Sequence, residues 1–144
     1  MLKQKSGGES PDYAGALATV GQNLLLRKKW AEAEPILREC LAIRATKEPE
    51  AWTTFNTHSM LGRVLTGQKK YAEAEPLLLK GYEGMKAREK AIPKERGTHL
   101  PEALDRLVEL YTATDKPDEE AKWRAKRAKY PSRKEVDPPP REKR

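Results

Sequence analysis

The chain has 144 residues, 37% hydrophobic and 35% charged, with a net charge of +7, which suits one domain with a modest core. Nowhere do about 18 apolar residues run together, which excludes a bilayer-spanning helix, and a single cysteine, Cys40, excludes an internal disulfide, a paired-thiol redox motif and a thiolate zinc site. Cys40 reads as a small apolar residue in a reducing compartment, and MLKQKSGGES at the N-terminus lacks the apolar stretch of a secretory signal, so the expected location is cytoplasmic.

In chain order, residues 1–10 read as a disordered N-terminus that ends in a helix start. Ser10 is a good N-cap, Pro11 suits the first helical position and Asp12 favours the first turn. A first helix over about Pro11 to Arg27 carries Leu17, Val20 and Leu24 as an apolar stripe. After Lys28 and Lys29 a second helix puts Trp30, Ala33, Leu37, Cys40 and Leu41 on one face, with Glu32 and Glu34 in its first turn. A third helix is expected from about Ala51 to Leu65 and a fourth from about Tyr71 to Glu89, with Leu61, Leu65, Ala74 and Leu78 as their apolar positions. IPKERG, Ile92 to Gly97, breaks the chain before another pair.

The second pair repeats the first. KKWAEAEPILREC from Lys28 and KKYAEAEPLLLKG from Lys69 differ by an offset of 41, and the match extends upstream to place Gly21 over Gly62 and Leu24 over Leu65. A weaker third copy, LDRLVELYTATDKPDEEAKWRAK from Leu104, fits with a one-residue shift. Self-similarity at a fixed period is the signature of stacked repeats. Gly21 and Gly62 fall in mid-helix, where each costs up to about 1 kcal/mol relative to Ala, so a close approach of the partner helix is expected there, with Trp30 or Tyr71 filling the gap. Pro35 and Pro76 fall about five residues into their helices, so those helices either start later or bend.

The charge is not spread evenly. From Ala121 to Arg144 there are ten Lys and Arg against three Asp and Glu, which is the whole of the excess. Residues 131–144, PSRKEVDPPPREKR, read as a basic, Pro-rich disordered tail, solvated or making weak, salt-sensitive contacts with phosphates or an anionic membrane surface.

The turn GQKKY (Gly67 to Tyr71) followed by AEAEPLLL resembles the tetratricopeptide repeat, in its longer form as in kinesin light chain. The usual period is near 34 residues; seven more are about two helical turns, which keeps the helix faces in phase. The repeats are also similar to the C-terminal repeat regions of some bacterial multidomain Ser/Thr protein kinases, although the chain contains neither a Gly-rich phosphate loop nor HRD or DFG. The resemblance covers about Asp12 to Lys129 and implies an all-α, right-handed solenoid of about three antiparallel helix pairs in residues 11–130. It also implies a concave groove lined by Ala18 and Gln22 in the first repeat, Asn56, Ser59 and Arg63 in the second, and Asp105 and Glu109 in the third. Asn56 could hold a peptide backbone and Arg63 could fork onto a carboxylate.

A catalytic constellation is not found. His58 and His99 are the only histidines, there is no HExxH or GxSxG, and Glu73 and Glu75 beside Lys69 and Lys70 read as a solvated face. His58 is expected to pack in the third helix and His99 to help start the fifth. The reading is therefore a non-catalytic protein-interaction module with no cofactor, metal or small-molecule substrate, binding a protein or peptide. The alternative is a basic-tailed adaptor for nucleic acid or an anionic membrane surface.

Overall fold

The computed structural model describes residues 10–93 and 98–130. Within them lie six α-helices: α1 (Pro11–Leu26), α2 (Trp30–Lys47), α3 (Trp52–Gly67), α4 (Tyr71–Ala87), α5 (His99–Ala113) and α6 (Pro117–Arg127), with a short 3-10 turn at Glu89–Ala91. No strand occurs among the described residues. The architecture is an all-α solenoid of helix pairs. The expected disordered segments, 1–10 but for Ser10 and 131–144, and most of the IPKERG break lie outside the described residues.

Local chemistry sets each pair. Ser10, in an extended conformation, accepts a hydrogen bond from the Tyr13 N–H at 3.1 Å, and Pro11 opens α1. Each pair then turns on one left-handed residue that is not glycine: Lys28 (φ 59°), Lys69 (φ 65°) and Asp115 (φ 56°). The next N–H reaches back five residues, Lys29 to the Leu24 carbonyl, Lys70 to Leu65 and Lys116 to Tyr111, each at 2.9 Å. This is a Schellman closure, which uses up carbonyls that would otherwise be orphaned at the helix end. The three left-handed residues measure the repeat directly: 41 residues from Lys28 to Lys69, then 46 to Asp115. The third unit is thus out of register by five residues, not one, and the extra length sits between α4 and α5.

The mid-helix glycines do admit a close neighbour, but it is not the expected aromatic. A Cβ on Gly21 would lie 2.5 Å from Leu37 Cδ2, and one on Gly62 would lie 2.6 Å from Leu78 Cγ. Two glycine–leucine contacts 41 residues apart therefore lock α1 on α2 and α3 on α4. Trp30 instead fills the space over Gly67, in the next repeat, where a Cβ would collide with the indole. Gly67 thus ends α3 and leaves room for a ring between repeats; the backbone reversal belongs to Lys69.

The expected apolar stripe of α1 is rotated. Ala14, Leu17, Gly21 and Leu25 are its buried residues, whereas Val20 is 48% exposed. Pro35 and Pro76 lie within helices that begin at Trp30 and Tyr71, so a later start is ruled out. Both prolines are exposed, as are Ala31 and Ala72, the residues whose carbonyls lose their helical partners to the prolines. The main core runs through Leu37, Leu61, Val64, Leu65, Leu78, Met85, Leu104 and Leu107. His58 is buried, with Nδ1 3.1 Å from the Thr54 carbonyl and its ring stacked on Phe55.

Candidate functional site

The odd-numbered helices lie side by side and leave a groove of about 440 Å³ along their shared face. It is lined by Gly15, Ala18, Thr19 and Gln22 of α1, Trp52, Thr53, Asn56 and Met60 of α3, His99 and Glu102 of α5, and Arg44 from the end of α2. At one side the Trp52 and His99 rings meet with centroids 4.9 Å apart and planes tilted by 49°, joining α3 to α5. Arg44 is held in place, with Nη1 donating to the Thr57 hydroxyl at 2.9 Å and to the Thr53 carbonyl at 3.4 Å. Set against Glu102, it gives the lining both signs of charge.

Two lining side chains are incompletely satisfied. Gln22 Oε1 and Asn56 Oδ1 are buried, and among the described residues no group donates to either. A buried acceptor without a donor costs about 1–3 kcal/mol. Two of them, on adjacent odd-numbered helices and on residues that line an open groove, become acceptors for N–H donors from outside the chain when each amide turns into the groove.

The residues expected in the groove divide four ways. Ala18, Gln22 and Asn56 line it together. Arg63 and Glu109 instead engage each other, with Nη2 to Oε2 at 3.0 Å, and the Arg63 guanidinium lies over the Trp30 ring, 4.6 Å from its centroid. Arg63 thus finds its carboxylate within the chain and ties all three repeats together. Asp105 is exposed and accepts from Arg127 of α6 at 2.8 Å.

Ser59 is a correction. It is fully buried, facing the backbone of α4 at Gly81, and its hydroxyl accepts from Arg106 at 3.0 Å. It has the same place in its repeat as the half-exposed Ala18, but α5 covers it. Arg106 itself was not anticipated: burial pushes its pKa down, opposed by the negative charge of Glu102. Met60 could have been found, because the offset of 41 carries Thr19 onto it. Arg44 could not, since it reaches the groove from an even-numbered helix.

The tetratricopeptide repeat family model matches residues 12–87, the first two helix pairs and more than half of the chain. The chain belongs to this family. No curated protein sequence matches it. Tetratricopeptide repeats generally mediate contacts between proteins, and stacked helix pairs present the extended surfaces on which such contacts form. The third pair, α5 and α6, lies beyond the matched residues, yet it closes on the same type of turn and supplies His99 and Glu102 to the groove. Among the described residues no three His, Cys, Asp or Glu side chains gather as a metal site would require, and no helix is long and apolar enough to cross a membrane.

Proposed function

We propose that this tetratricopeptide repeat chain holds an extended segment of a partner protein in the groove between α1, α3 and α5. The observation that carries the reading is the pair of buried, unpartnered oxygens, Gln22 Oε1 and Asn56 Oδ1. Extended backbone offers N–H groups at regular spacing, and a carboxamide can accept from one while donating to a neighbouring carbonyl. The Trp52–His99 ring pair and Met60 supply apolar surface for one side chain of the segment, and Arg44 and Glu102 give its ends a polarity. The period of 41 supports assignment to the longer, kinesin light chain-like form, and the similarity to repeat regions of bacterial multidomain Ser/Thr kinases supports a regulatory or scaffolding role beside such a kinase.

The test is selection of peptides from a random library on the full chain, followed by affinity measurements on variants. Selected peptides should bind Gln22→Ala and Asn56→Ala at least about tenfold more weakly, a loss of about 1.4 kcal/mol each, and should bind a chain lacking residues 131–144 unchanged. The opposite pattern, with binding indifferent to both substitutions and lost with the tail, would favour the basic adaptor for nucleic acid or an anionic membrane surface.

A further inference from the structure

The two ends of the helical stack are finished differently. Val20 and Leu26 are the large hydrophobic side chains left exposed among the described residues, at 48% and 67%, and both belong to α1. The repeat itself shows what such positions do. At an offset of 41, Ala16, Val20 and Leu26 correspond to Thr57, Leu61 and Gly67 of α3. Thr57 takes a hydrogen bond from Arg44 and lies 4.0 Å from Cys40 Sγ, both of α2, while Gly67 receives the Trp30 ring, also of α2. Leu61 is 1% exposed. This side of an odd-numbered helix is therefore a packing face, buried in α3 by the preceding helix and uncovered in α1 among the described residues.

The opposite end offers nothing to match it. In α6 the sequence PDEEAKWRAKR is mostly charged, and the place two residues beyond the left-handed turn, taken by Trp30 and Tyr71 in the earlier repeats, belongs to Pro117. Stacking α6 of one molecule on α1 of another would set a charged helix without a projecting ring against Val20 and Leu26. By contrast α1 carries one charged residue, Asp12, in sixteen, so two copies of it meet without appreciable like-charge repulsion.

We infer that α1 pairs antiparallel with α1 of a second copy of the chain. A two-fold axis passing near Val20 and Asn23 puts Leu26 of each molecule opposite Ala16 of the other, large against small, and brings the two Val20 side chains together. Such a contact is isologous and closes at two copies, whereas head-to-tail stacking would continue into a filament. Of the groove-lining residues of α1, Ala18 and Gln22 lie to one side of this face and Thr19 borders it, so the contact runs along the rim of the groove rather than across it.

The experiment uses the full chain, which has one cysteine, Cys40, already buried. By light scattering coupled to size exclusion the mass should rise from that of a 16.3 kDa monomer towards a dimer as concentration increases to about 300 µM. Val20→Glu, which brings two carboxylates together at the axis, should weaken dimerisation at least about tenfold. Val20→Cys should form an intermolecular disulfide under mild oxidation and Ala125→Cys on α6 should not, a readout that stands even if the Glu variant fails to fold. A monomer at every concentration overturns the inference, as does a dimer indifferent to Val20→Glu. Cross-linking between Val20→Cys and Ala125→Cys in a mixture would mean head-to-tail stacking instead. A monomer whose Val20→Glu variant is folded but markedly less stable would mean that residues 1–9 cover the face from within the chain.

Discussion

Helices α1 and α3 have the same place in successive repeats, and three pairs of positions show how little that place alone decides. Leu17 and His58 are both buried, as the shared pattern requires. Val20 is half exposed where Leu61 is buried, and Ala18 lines the groove where Ser59 is sealed beneath Arg106. The difference is one of neighbours: among the described residues α3 has a helix pair on either side, and α1 has one only. In a stack of repeats each residue's contact within its own pair follows from its register, whereas its contact with the next pair depends on where in the stack it sits.

Equivalent substitutions in the two helices should therefore have unequal effects, and the largest belongs to the glycines. Gly62→Leu forces a side chain into the space held by Leu78, and overpacking of this kind costs about 1–3 kcal/mol, against roughly 0.8 kcal/mol regained from helix propensity. A net loss of stability is expected in urea unfolding. Gly21→Leu meets Leu37 just as closely, but among the described residues no helix lies behind α1, which can move outward, so its loss should be smaller. Equal losses would mean that the edge helix is as constrained as the middle one.

The second expectation turns on His58, which stands where the first repeat has Leu17. Burial lowers its pKa from the usual 6.5, opposed by the Thr54 carbonyl. The unfolded chain therefore takes up a proton below about pH 6.5 that the folded chain resists, so stability present at neutral pH falls on acidification through this window, by at most about 1.4 kcal/mol per pH unit. His58→Leu restores the residue of the first repeat and should flatten the melting temperature between pH 7 and about pH 5. His99 is present in both proteins and so does not confound the difference. An unchanged slope would place the acid sensitivity elsewhere.

The smallest effect concerns the groove. Most substitutions of buried polar residues destabilise, but Asn56→Ala removes an acceptor that no group among the described residues satisfies and replaces Asn with the best helix former. The melting temperature should hold or rise, by the equivalent of up to about 1 kcal/mol, while peptide binding weakens. A marked loss of stability would make Asn56 a structural residue.

Much of this was open to a reader of the sequence. Ser10-Pro11-Asp12, the doubled KK-aromatic-AEAEP and the offset of 41 placed five of the six helix starts within a residue, since caps and apolar period are local properties of the chain. The pairing of α1 with α2 and of α3 with α4 followed from the same repetition. Gln22 and Asn56 were expected in the groove from the resemblance to the repeat family, and both line the cavity between α1 and α3.

What escaped was set between elements. That Leu37 and Leu78, rather than Trp30, meet the mid-helix glycines depends on the angle at which the two helices cross. That Arg63 finds Glu109 and Trp30 depends on where the third repeat and the first come to rest around it. Ser59 was lost to the groove for the same reason, and Arg44 was gained because the end of α2 leans over the α1–α3 boundary. The turn residues were hidden differently: Lys28, Lys69 and Asp115 hold a left-handed conformation that glycine usually supplies, and nothing in KK marks which lysine reverses the chain. Sequence alone determined the helices, their pairing and the period of the repeat, because hydrophobic spacing and capping act within a few residues. Tertiary structure alone decided which side chains reach the groove and which are covered, because burial in a stack is conferred by the neighbouring pair.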